Sequence, residues 1–103
     1  MLGCETRFNL SLCEAIELCR DTGALAARST WKPHEKIAYQ KGYPEGIKCN
    51  KQTADTWHIE EGEEFKCMPY LQKRSIDGMY SMWQPTLEEL LSKDWYVIFP
   101  RVF

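Results

Sequence analysis

Tyr70-Leu71-Gln72-Lys73-Arg74-Ser75-Ile76-Asp77-Gly78-Met79-Tyr80-Ser81-Met82-Trp83 is the stretch that decides the fold. Two β-prone runs, 70–74 and 79–83, flank Asp77-Gly78, a dipeptide suited to a tight reversal, so the segment predicts an antiparallel hairpin. Downstream, Pro85 holds the chain extended, and Thr86-Leu87-Glu88-Glu89 is a capping box opening a short helix through Leu91. Asp94 then leads into Trp95-Tyr96-Val97-Ile98-Phe99, the most β-prone run in the chain. Upstream, Lys36–Gln40 alternates as a strand, and Gly42 to Asn50, with two glycines and a proline, predicts a shaped loop. Asn50 or Thr53 caps a single helical turn over Ala54–Trp57, and Glu60–Glu64 forms an acidic solvated turn.

Further toward the N-terminus, Ser11-Leu12-Cys13-Glu14 is a second capping box. It starts an amphipathic helix in which Leu12, Ile16 and Cys19 share one stripe, and Gly23 supplies a left-handed stop. Ala24–Ser29 is a short strand leading to Trp31. Residues 1–10 show no period and are expected to be a variable lead-in, leaving 11–103 as one domain. The expected fold class is therefore α+β: an antiparallel sheet with an N-terminal amphipathic helix and a short C-terminal one.

The whole chain has 103 residues, one domain's worth, with 13 Lys+Arg against 15 Asp+Glu and a formal net charge of -2. A slightly acidic balance argues against DNA or RNA as a partner. No apolar run approaches the ~20 residues of a membrane span, and the first residues do not form a signal peptide. The five cysteines, at 4, 13, 19, 49 and 67, include no C-x-x-C pair. That spacing suggests neither a disulfide framework nor a zinc ribbon, and it fits a reducing cytoplasm. The aromatic share, 13%, exceeds what one small core absorbs, so some rings are expected at an interface or a ligand pocket.

Chemistry-bearing constellations are few. His34 and His58 lack paired-ligand spacing, so no metal site and no cofactor are expected. Nothing beside any cysteine marks a lowered pKa, and no serine sits in a nucleophile elbow, although a site assembled from scattered residues leaves no motif. The charge distribution is more telling. Residues 28–51 hold Arg28, Lys32, Lys36, Lys41, Lys48 and Lys51 against Glu35 and Glu45, while 52–64 is acidic without a Lys or Arg. A near-neutral total thus hides a basic, Gly- and Tyr-rich region in which amides and an Arg fork suit phosphate, though a merely solvated surface has the same composition. Trp31 and Trp83 divide between core and ligand stacking, Trp95 reads as core, and Trp57 as an outer cap on the core.

Four stretches together resemble a known family. They are Ser11–Ile16 through Gly23 to Arg28-Ser29-Thr30-Trp31; Gly42–Ile47 with Asn50–Ala54; Pro69–Gln72 with Asp77-Gly78; and Trp83–Thr86 with Leu90–Trp95. In order and spacing, from about Ser11 to Ile98, they are similar to a phage-borne family catalogued as DUF2829, whose members act as Thoeris anti-defence proteins of the second type. The resemblance implies a non-catalytic sponge in the cytoplasm of the infected bacterium. Such a protein binds a cyclic ADP-ribose isomer made by immune TIR proteins, holds it intact, and keeps the effector silent. Some members also take cyclic oligonucleotides at a second site. Homo-oligomers, commonly tetramers with pockets between protomers, are implied as well. A hydrolase of the same signal and a module binding a host protein stand as alternatives.

Carried over residue by residue, the resemblance implies a ligand pocket of Arg28, Trp31, Asn50, Thr53, Trp83, Pro85 and Thr86. Chemistry then suggests roles: the tryptophans stack on adenine, Arg28 faces the diphosphate, and Asn50, Thr53 and Thr86 bond ribose or phosphate. Asp94-Trp95 is expected to fix the last strand instead. The chain departs from the family at Leu12, Leu87 and Glu89, where Phe, Gln and Asp are usual, and carries an extra residue before Gly23. Leu87 in place of Gln bears on which signal is taken.

Overall fold

The computed structural model describes residues 6–100. Its elements in chain order are β1 (Thr6–Leu10), α1 (Leu12–Thr22), β2 (Leu25–Arg28), β3 (Lys36–Gln40), β4 (Tyr43–Lys48), α2 (Lys51–Trp57), β5 (Glu64–Cys67), β6 (Tyr70–Arg74), β7 (Tyr80–Met82), α3 (Leu87–Leu91) and β8 (Trp95–Ile98). Six strands form one sheet in the order β1-β8-β2-β3-β6-β7, and β4-β5 form a separate pair. Every pairing is antiparallel, which is the α+β arrangement expected.

Both capping boxes form. The Ser11 hydroxyl accepts from the Glu14 amide and the Glu14 carboxylate from the Ser11 amide, with Thr86 and Glu89 doing the same at α3. Gly23 ends α1 in the left-handed region at φ 75°, its amide donating to the Cys19 carbonyl. The hairpin closes where sequence placed it, with Arg74 opposite Tyr80 and the Gly78 amide donating to the Ser75 carbonyl.

Two expectations need correction. Residues 6–10 are not a lead-in: Thr6, Arg7 and Leu10 pair with Ile98, Val97 and Trp95, making β1 an edge strand. Residues 1–5 of that segment, and 101–103 of the proposed domain, lie outside the described residues. A five-residue strand with one buried side chain and an irregular register leaves no clean alternation to read. Likewise the loop expected over 42–50 is largely β4, because Ile47 and Lys48 find partners in Phe65 and Glu64. Residues 41–69 are therefore an excursion between two neighbours, β3 and β6, that folds back on itself through α2.

The core lies between α1 and the sheet. Leu12, Ala15 and Cys19 of the helix meet Ala26, Ile37, Trp95 and Val97, all buried. The small side chains of β2 let the helix approach closely. Burial pushes the Cys19 thiol up to about 11, which keeps it protonated and inert. Alternation places Tyr96, Ala27, Ala38 and Met82 on the opposite face, where Phe8 packs on Tyr96 at 5.8 Å between ring centroids. Phe8, Tyr80 and Met82 are largely exposed there. Among the described residues, no helix is long and apolar enough to cross a membrane.

Candidate functional site

Three tryptophans from distant parts of the chain converge on the core. Trp95, at the start of β8, is fully buried and receives Trp31 edge-on at 5.1 Å and Trp83 at 6.0 Å. Trp31 and Trp83 also meet each other at 6.0 Å, nearly perpendicular. Edge-to-face geometry satisfies the ring quadrupoles, so this is a packed cluster and not a chance proximity. Trp31 and Trp83 are half-buried against the core, so each serves the core with part of its surface. Trp57 is 66% exposed and does not cap the core as expected, because α2 carries it on the excursion, outward from the sheet.

Lys73 was not foreseen as part of this cluster. Its ammonium lies 4.3 Å from the Trp31 ring centroid and 3.2 Å from a Glu35 carboxylate oxygen. The Lys32 amide, and then Lys73, hold the Glu35 carboxyl below its usual range. One face of Trp31 is thus already covered by a cation. The residues involved are separated along the chain and share no local pattern, so only the β3–β6 register reveals them.

Arg28 occupies a position different from the one expected. Its Nε and Nη2 donate to the two Asp94 carboxylate oxygens at 3.1 and 3.2 Å, and Nη1 donates to Glu88 at 3.0 Å. Ser29 Oγ donates to Asp94 as well. The bidentate contact holds the Asp94 carboxyl well below its ordinary value and raises the Arg28 pKa further. A guanidinium engaged at three nitrogens by two carboxylates is not presented to a diphosphate. It ties β2 to α3 and to the approach of β8, a task in which Asp94 acts as anticipated.

Four of the other expected residues divide between two concave regions, and Thr86 lines neither. Trp83 and Pro85, with Tyr70, Leu71 and Met82, line an open groove of about 680 Å³ beyond the end of β7. Asn50 and Thr53 line a second cavity of about 360 Å³, where the excursion meets the end of the main sheet. Tyr70 borders both. Thr86 caps α3 and Asn50 caps α2 through its Oδ1, which accepts from the Thr53 amide at 2.8 Å. Each keeps a donor beyond its cap, the hydroxyl hydrogen and the carboxamide NH2.

Gly42 closes the second cavity from one side. It has φ 61°, and a Cβ there would lie 2.4 Å from the Cys67 carbonyl oxygen and 2.7 Å from that of Met68. Only glycine lets the excursion turn so tightly against the β5–β6 link.

A family model described as the Thoeris anti-defense 2-like domain matches residues 10–98. The chain belongs to this family. As a Thoeris anti-defense 2-like domain it carries both concave regions and the tryptophan cluster inside the matched span, while most of β1 lies ahead of it. No curated protein matches the chain.

Proposed function

We propose that this Thoeris anti-defense 2-like domain sequesters, without cleaving, a cyclic ADP-ribose-type immune signal in the cytoplasm of an infected bacterium. Retention of the signal blocks the Thoeris effector. The observation that carries the reading is the groove at Trp83 and Pro85, joined through Tyr70 to a cavity holding Asn50 and Thr53. Aromatic walls beside uncommitted donors suit a nucleotide. Trp83 stacks on the base, Trp31 supports it from within the cluster, and Thr53, Asn50 and Thr86 bond ribose or phosphate. Arg28 contributes by holding α3 in place.

The exposed Phe8, Tyr80 and Met82 on the helix-free sheet face support assembly into a homo-oligomer, in this reading a tetramer. A sponge must bind below signalling concentrations, so a Kd on the order of nanomolar, about -12 kcal/mol, is expected. The test is retention. The protein is incubated with cyclic ADP-ribose or one of its glycosidic isomers, freed of unbound ligand, heat-denatured, and the release analysed. Intact signal is the expected result, and a cleaved product makes the protein a hydrolase. Retention of no isomer, with a host protein recovered in pull-down, replaces the sponge with an interaction module.

A further inference from the structure

We infer that the phosphates of the ligand are met by Lys41 and Lys48, in the cavity between the excursion and the main sheet, and not by Arg28. The inference rests on the sponge reading and says where the negative charge of that ligand goes. The Arg28 fork is filled by Asp94 and Glu88, and the Lys73 ammonium is held by Glu35 over Trp31. Neither cation at the tryptophan cluster is therefore open to an anion without breaking an existing pair.

Lys41 and Lys48 are different. Both line the 360 Å³ cavity, both are exposed, and neither forms an ion pair among the described residues. No carboxylate is found in the lining. Glu64 stands opposite Lys48 across the β4–β5 pair but lies 3.5 Å from Lys66, so two cations in a concave lining without a carboxylate focus a positive potential. The aromatic rings of Tyr43, Phe65 and Tyr70 stand in the same walls, beside Asn50 and Thr53. Cations, ring faces and neutral donors in one cavity are the set that a diphosphate carrying an aromatic base requires. Tyr70, shared with the Trp83 groove, places base and phosphate subsites within reach of one ligand.

The experiment measures Kd by calorimetry for cyclic ADP-ribose and its glycosidic isomers, using the wild-type chain, Lys41→Ala/Lys48→Ala, and Lys41→Arg/Lys48→Arg. Both lysines are at the surface, so circular dichroism should report unchanged folding in each variant. The alanine pair is expected to bind at least about tenfold more weakly and with a shallower salt dependence, while the arginine pair recovers most of the affinity. Wild-type affinity in the alanine pair overturns this assignment and leaves the sponge reading standing. Failure of the wild-type chain to bind any isomer overturns both.

Discussion

Arg28 and Asp94 show how a residue chosen for one reason serves another. A planar fork following a short strand suits a phosphate as well as a carboxylate, and sequence does not say which is nearer. The answer came from residue 94, beside Trp95, which β8 brings opposite Arg28. The pair makes stability depend on pH with a definite sign. Because the Asp94 carboxyl is held below its ordinary value, its contribution is complete above about pH 4 and lost as pH falls through the lowered value. Asp94→Asn should therefore cost about 1–3 kcal/mol at pH 7, and the gap to wild type should close on acidification. Urea midpoints between pH 7 and pH 2 check this, and a gap constant with pH would assign the pair no such role.

Elements with strong local signals were legible in advance. The capped helices, the 70–83 hairpin and the last strand needed only neighbours within a few residues. The excursion was not, because β4 includes Pro44 and Gly46, which locally signal a loop; only partners in β5 make it a strand. The candidate site was half legible for the same reason. Residue types suggested Trp83, Pro85, Asn50 and Thr53, whereas Lys73, Tyr70 and Phe65 are joined to them by register alone.

The tryptophan cluster also bears on an expectation at this scale. Trp31 and Trp83 are expected to divide between core and ligand stacking, and both rings pack on Trp95. Trp31→Ala should now cost about 2–4 kcal/mol, lowering Tm by roughly 10 °C or more in a domain of this size. Thermal unfolding measures it, and an unchanged Tm would remove Trp31 from the core.

For the whole molecule, the net charge of -2 misleads because it averages separate regions. Lys41 and Lys48 stand in an acid-free cavity, while Glu60, Glu61 and Glu63 cluster beyond α2. Shape matters similarly. Among the described residues, α1 is the helix that packs on the main sheet and it covers one side, so the other presents Phe8, Tyr80 and Met82 to solvent in the single chain. Met82→Glu in β7 should shift an oligomer toward monomer without loss of secondary structure, because the side chain is 75% exposed and leaves no cavity behind. Light scattering after size exclusion reports the mass, and an unchanged mass would place the interface elsewhere.

The order β1-β8-β2 has a consequence for how the chain is made. The last strand lies between the first two, and its Trp95 sits in the core on which Leu10, Leu12 and Ile37 converge. Until that segment leaves the ribosome, the N-terminal third has a helix and two strand edges with nothing between them. Contacts so distant in sequence form slowly, since a long loop must close before they repay its entropy. The segment that seals the core is thus made after the partners it joins, and a chain interrupted ahead of it offers quality-control proteases an open sheet.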